Sequence, residues 1–508
     1  MTDEANAPNA GRLPAAEALP EPGQRLTASR ALAFLDELRA PYAVAPTSRA
    51  PWHQLTAGRP GAALHWYAGA EADAIARLTV WDIPVWARAA SDEAVAEFAS
   101  ALEGRWRRDV AVLDGNGAAR TWIWISEEGG TILPFDPDEV VANYRSERYL
   151  GVGTAWTAGL TAVARRAYYA LKPLIPRSLQ RAARRSFSRR QARTAFPRWP
   201  VEPALHDFGD RLRERIAAVA GGPLPYLEPW PRGRSWALVL THDVETAAGR
   251  DGIERLRAVE SGLGLRSSWN FVPERYAVSD ALVEHLRGAG CEVGIHGLRH
   301  DGRDLGPGRT FARRLPEMRR WADRWQAVGF RAPATQRYWE RMPMLGFDYD
   351  SSYPDTDPYE PMSGGCCSWL PFFNDGMVEL PITMPQDHTI FAILQIGDPV
   401  WHEKAALLKR RGGMALIDTH PDYMLEDAPL RAYERLLGAY GQDSTAWTVL
   451  PREVSDWWRR RAATSLQCID GAWRAIGPAA DEAGIGFLLP ASAAEEPPIV
   501  PASNGGSG

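Results

Sequence analysis

From Trp236 onward the chain repeats one pattern, a short apolar run followed by a stretch in which apolar and charged residues recur at helical spacing. The runs "WALVLT", "SSWNFV", "CEVGIH", "GFRAP", "FDYDSS", "MVELPI", "GMALIDT" and "AWTVL" read as strands. Segments such as "SDALVEHLRGAG", "RTFARRLPEMRRWADRWQAVG" and "PLRAYERLLGAYG" read as helices between them. A strand that returns through a helix pairs in parallel with its predecessor, so the alternation predicts an α/β fold around a mostly parallel sheet. At this length the sheet has enough strands to close into a barrel.

The rest of the chain is organised differently. Residues 1–25, rich in Pro, Ala and Glu, read as a disordered tail. Residues 26–149 combine a capped helix, "RALAFLDELRA", with the β-like runs "ALHWY", "ARLTVW", "DVAVLD" and "TWIWIS", and read as a small α+β domain of unassigned role. Residues 150–231 read as a basic helical connector, with no acidic residue between Arg148 and Pro200. The repeating pattern occupies 232–463. Residues 464–508 form a C-terminal extension with a hairpin and the flexible end "PASNGGSG".

Composition excludes several classes. A net charge of −5 argues against a general nucleic-acid binder. The four cysteines offer neither a disulfide framework nor zinc-type spacing, so the expected compartment is reducing. The first residues carry no basic and apolar signal segment, and no apolar run is long enough to span a bilayer; the expectation is a cytoplasmic protein. The 21 tryptophans suit stacking on sugar rings and core packing equally.

The informative residues stand where the strand-like runs end. "WALVLT" runs into His242, Asp243, Val244 and Glu245. In extended chain alternate residues share a side, so Asp243 and Glu245 converge while His242 and Val244 point away. Two carboxylates that close repel unless a cation or shared proton relieves them. "CEVGIH" delivers His296, and His300 follows four residues later. On a helical turn that spacing places two imidazoles where they can share a metal, with Asp301 as an orienting partner of His300. Helical zinc-protease spacing is excluded, because no Glu follows His296. Arg331 and Pro333 end "GFRAP", Asp350 lies in "FDYDSS", and His420 precedes Pro421 in "ALIDTHP". Each has a dull reading alone; jointly they occupy the carboxyl ends of one βα series, where such barrels place chemistry. Cys366 and Cys367 read as pocket lining, since no base adjoins them.

The ordered set "THDVE", "HGLRH", "RAP", "DYDSS" and "THP" resembles the polysaccharide deacetylase family, also called the NodB homology domain or carbohydrate esterase family 4. The resemblance covers roughly residues 230–462. It implies a distorted (β/α) barrel of NodB type and one divalent metal, zinc or else Co, Ni, Mn or Fe, held by a carboxylate and two histidines. The implied reaction is removal of an N-acyl group from an amino sugar. The sequence departs from the usual first motif, Thr-Phe-Asp-Asp-Gly: the first Asp matches Asp243, and the second, a metal ligand, matches Val244, which cannot bind a metal. The nearest carboxylate of suitable direction is Glu245. An Asp-x-Glu arrangement resembles variant branches of the family that include lipid-linked sugar deformylases and cyclic-amide hydrolases.

The resemblance therefore implies Glu245, His296 and His300 as metal ligands, Asp243 as general base, His420 as the acid that protonates the leaving amine, and Arg331 as the group that orients Asp243. Pro333 and Asp350 fall among the substrate-binding positions. The implied partner is an N-acylated glycan or a lipid-linked glycan precursor. The arginines of 165–198, together with Tyr168, Tyr169, Leu171, Leu174, Ile175 and Leu179, suit peripheral contact with an anionic membrane surface at the inner face. The alternatives are a cyclic-amide hydrolase of the same fold and a degenerate barrel that only binds glycan.

Overall fold

The computed structural model describes residues 33–45, 47, 49–69, 74–152, 196–306 and 308–489. The tail 1–25, residues 490–508 and all but the last three residues of the basic stretch 165–198 lie outside the described residues.

Two sheets organise the chain. The first is built from β1 (Ala43–Ala45), β2 (Trp52–Thr56), β3 (Leu64–Tyr67), β4 (Ala76–Val80), β5 (Ile83–Ala87), β6 (Trp106–Leu113), β7 (Ala119–Ser126) and β8 (Thr131–Leu133), in the order β1-β2-β3-β8-β7-β6-β4-β5. Its ladders are antiparallel except β3 with β8. The helix Ala204–Ala220, inside the stretch read as a connector, lays Phe208, Leu212 and Ile216 into the core of this sheet.

After β9 (Leu224–Pro231) comes the second sheet: β10 (Trp236–Val244), β11 (Ser268–Phe271), β12 (Glu292–Ile295), β13 (Gly329–Phe330), β14 (Tyr349–Asp350), β15 (Phe372–Asn374), β16 (Met377–Glu379), β17 (Met414–Thr419) and β18 (Ala446–Val449). The order is β15-β16-β14-β13-β12-β11-β10-β17, with β18 also on β10, and every ladder is parallel except that of β15 with β16. All nine residues of β10 are buried, as expected of a parallel strand covered on both faces. The predicted alternation thus gives the predicted parallel sheet. Among the described residues no ladder joins β16 to β17; the two ends approach where Met384 N–H donates to the Leu416 carbonyl at 3.1 Å.

Flanking helices start where the sequence supplies caps. Ser279 accepts from Leu282 N–H at 3.2 Å to open the helix Asp280–Gly288. The C-terminal extension forms the hairpin β19 (Ser465–Ile469) with β20 (Ala472–Ile476), and β21 (Ala483–Leu488) pairs antiparallel with β9. Eight tryptophans, among them Trp236, Trp269 and Trp325, are almost fully buried, so much of the tryptophan content serves the core. Among the described residues no helix is long and apolar enough to cross a membrane.

Candidate metal and acid–base site

Parallel order brings the ends of β10 to β14 and β17 to one edge, and the ionisable residues follow. Asp243 is the penultimate residue of β10, and Glu245 follows its end. His242, one residue before Asp243, faces the other way: its Nδ1 lies 2.7 Å from Thr419 Oγ1, its Nε2 lies 2.6 Å from Glu260 Oε1, and its ring stacks on Trp269. Val244 joins the apolar core.

His296 leaves β12 and is 1 % exposed. Its Nδ1 is 3.1 Å from the Arg331 carbonyl and 3.5 Å from Asp243 Oδ2. A carbonyl only accepts, so Nδ1 carries the proton and Nε2 is left with its lone pair. That Nε2 is buried and without a hydrogen-bond partner. Burial pulls the His296 pKa down to about 4, so the ring is neutral at neutral pH.

No helical turn carries His296 and His300; a bend brings them together instead. The segment after β12 is an irregular bend, with Gly297 at φ +64° and His300 at φ +53°, that brings the two rings to 5.2 Å between centroids. A side chain at Gly297 would collide with Asp304 Oδ2 and with the ring of Pro333. Asp301 ion-pairs with Arg314 at 2.6 Å and takes no part in orienting His300 through any hydrogen bond seen here.

His300 Nε2 stands 2.8 Å from Glu245 Oε1. Burial raises the Glu245 pKa, but the charge and hydrogen bond of His300, followed by His420 and His296, outweigh it and hold the carboxyl well below its usual range. One ligand atom each from Glu245, His296 and His300 lies within 4.8 Å of the other two. The donors, two imidazoles and a carboxylate, suit a divalent transition metal, and the orphaned Nε2 of His296 fits that use. Asp387, His388 and His420, and Asp243, Asp418 and His420, meet the same spacing, which makes the whole edge one continuous ionisable cluster.

Asp243 is 2 % exposed. Burial alone raises its pKa, yet His296, Arg331, His420 and the Asn270 amide outweigh burial and lower it. The Asn270 donor, at 2.9 Å, comes from β11, where Asn270 stands in register with Asp243. Arg331 lies 3.8 Å from Asp243 and only 2.7 Å from Asp418, and donates to Thr241 and Ser351. It thus acts on Asp243 as a nearby charge, while Asn270 makes the hydrogen bond.

His420 follows β17, and its Nδ1 is 2.7 Å from Asp387 Oδ1, with Nε2 at 3.9 Å from Glu245 Oε1. Burial lowers the His420 pKa, but Asp387 first, then Asp418 and Glu245, raise it well above the usual histidine value. Asp350 is fully buried, accepts from Ser352 at 2.6 Å and faces Glu379. Pro333 opens the turn Pro333–Thr335 against Gly297. Cys366 and Cys367 are both fully buried, in the cores of the second and the first sheet respectively. Sequence pattern does not point to Asn270 or Asp387, whereas Asp418, two residues before His420 on one strand, carries a readable signal.

No protein-family profile matches the chain, and comparison with curated proteins finds no match. Among solved structures, a protein described as a polysaccharide deacetylase from Mycobacterium smegmatis aligns at 18 % identity over 46 % of this chain and 93 % of its own, with a TM-score of 0.38. PuuE allantoinase aligns at 14 % identity over 46 % and 93 %, with a TM-score of 0.37. A protein described as a polysaccharide deacetylase from Pseudomonas aeruginosa PAO1 aligns at 15 % identity over 45 % and 92 %, with a TM-score of 0.35.

Proposed function

We propose that the chain is a metal-dependent hydrolase that cleaves the amide of an N-acylated amino sugar, releasing the acyl acid and a free amine. The observation that supports this best is the placing of a two-histidine, one-carboxylate set between two oppositely tuned groups, an ionised Asp243 and a protonated His420. Neighbouring titratable groups whose pKa values are pushed apart mark a base that is ionised and an acid that is protonated, the two roles that amide hydrolysis uses. The five ordered motifs support the same reading.

Glu245, His296 and His300 would hold the cation; bound there, its charge polarises the acyl carbonyl and acidifies water. Asp243 accepts the proton of the attacking water, and Asn270 and Arg331 keep its carboxylate charged and oriented. His420 gives its Nε2 proton to the amine nitrogen as the C–N bond breaks, and Asp387 holds the ring from Nδ1. Arg331 also fixes the His296 tautomer through its carbonyl. Asp350 braces the neighbouring strand end through Ser352, whose hydroxyl also accepts from Ala332 N–H at 2.8 Å.

Amine release from N-acetylated and N-formylated amino sugars, with a cyclic amide alongside, tests the reading. Turnover of the sugars by wild type supports it. Turnover of only the cyclic amide replaces it with the cyclic-amide hydrolase, and binding of glycan without turnover replaces it with the degenerate barrel. In the same proposal the basic stretch 165–198 lets a cytoplasmic enzyme meet a lipid-linked precursor at the inner membrane face. Salt-sensitive sedimentation with anionic vesicles checks that, and its absence at low salt points to a soluble substrate.

A further inference from the structure

The first sheet carries no residue of the proposed site, yet a buried ion pair reaches from its end to the site's edge. Glu147, in the left-handed region at φ +57°, follows the helix Pro137–Arg145. Its two carboxylate oxygens receive Arg337 Nε and Nη2, each at 2.6 Å, with Arg337 2 % and Glu147 9 % exposed. A bidentate pair of this kind fixes direction as well as charge. Gly364 leaves the room for it: a Cβ there would lie 2.6 Å from Glu147 Oε1.

Arg337 Nη1 donates to the Thr335 carbonyl at 2.9 Å. Ala334 and Thr335 are consecutive non-glycine residues at φ 52° and 48°, a conformation that persists only where surrounding contacts hold it. The same turn braces the histidine bend at three points. Pro333 packs on Gly297, Gln336 Nε2 donates to the Gly302 carbonyl at 3.2 Å, and the Arg331 carbonyl that leads into the turn receives His296 Nδ1.

We infer that Glu147 is a positioning residue for the metal site: through Arg337 it holds the turn 332–336 in the shape that orients His296 and supports the bend to His300. This gives the segment that follows the first sheet a role in the chemistry of the second. The inference rests on Glu245, His296 and His300 being the ligands, and the experiment separates the two claims. Metal-free full-length protein is titrated with Co²⁺, whose visible absorption reports the geometry of its ligands. Wild type, Glu245→Ala, Glu147→Gln and Tyr149→Phe are compared; the last removes two other hydrogen bonds of the same contact, both with Gly365, and leaves the Glu147–Arg337 pair in place.

The expected result is a 10- to 100-fold weaker Co²⁺ affinity with an altered spectrum in Glu147→Gln, the usual cost of losing an outer support, and wild-type behaviour in Tyr149→Phe. A folded Glu147→Gln protein with wild-type affinity and spectrum overturns the inference. Wild type that binds no Co²⁺, or Glu245→Ala that binds it unchanged, overturns the ligand assignment and the inference with it. If Glu147→Gln does not fold, Glu147→Asp carries the test: a several-fold loss of affinity is expected, and an unchanged affinity and spectrum overturn the inference.

Discussion

Strand β10 presents a histidine–carboxylate cluster on each of its two faces, and the clusters differ in how completely they are satisfied. On the face of His242, both ring nitrogens have partners, and Glu260 also accepts from Tyr433 at 2.8 Å and Ser267 at 2.6 Å. On the face of Asp243, His296 keeps a buried Nε2 with no partner, and Glu245 and His300 are partly exposed. A closed network adds rigidity; a buried polar atom left open asks for a ligand. The comparison teaches that two histidine–carboxylate clusters on one strand can differ in whether the protein itself meets all their polar atoms, and that the proposed chemistry falls on the cluster left open.

The largest expected effect that would break this contrast is on the open face. Asp243→Asn should keep the bound metal and lose about 10²- to 10⁴-fold in kcat, the usual worth of a general base. Steady-state assays beside metal analysis read both quantities, and a variant with full kcat would remove Asp243 from the chemistry.

On the closed face, His242→Ala should leave Glu260 buried beside a cavity and cost about 3–5 kcal/mol of stability, seen in urea unfolding, with metal content unchanged in the folded protein. Loss of metal at preserved stability would mean that the two faces are not separate.

A third prediction concerns pH. In the proposed mechanism His420 acts protonated, so its raised pKa should put the alkaline limb of activity well above 6.5. Asp387→Asn removes the strongest group that raises His420, so the alkaline limb should move to lower pH while the acid limb stays. An unmoved alkaline limb would take His420 out of the role of acid.

The smallest effect expected is that of Asp301→Ala. Arg314 keeps Asp304 at 2.6 Å, so stability should fall by less than about 1 kcal/mol and the metal should remain. Loss of the metal would restore Asp301 as a partner of His300.

Much of this edge is legible in the sequence because strand alternation assigns sides. Asp243 and Glu245 converge, His242 turns away, and the apolar runs place His296, Arg331 and His420 at strand ends. What the sequence conceals depends on pairing between distant segments. Asn270 serves Asp243 only because β11 stands in that register with β10. Asp387 reaches His420 across 33 residues from a segment with no readable pattern. The spacing of His296 and His300 suggests a helix, yet the packing of Pro333 against Gly297 imposes a bend at positive φ. The family motif pairs Arg331 with Asp243, yet a second buried carboxylate, Asp418, lies closer, at 2.7 Å against 3.8 Å.

The central claim is that Glu245, one residue beyond the position Val244 occupies, supplies the carboxylate that holds the cation. Bound Zn, Co, Ni, Mn and Fe should be measured in purified wild type, Glu245→Ala and His242→Ala prepared side by side. About one divalent ion per chain in wild type and in folded His242→Ala, with little or none in Glu245→Ala, is the predicted result. Equal metal content in Glu245→Ala and wild type would contradict it.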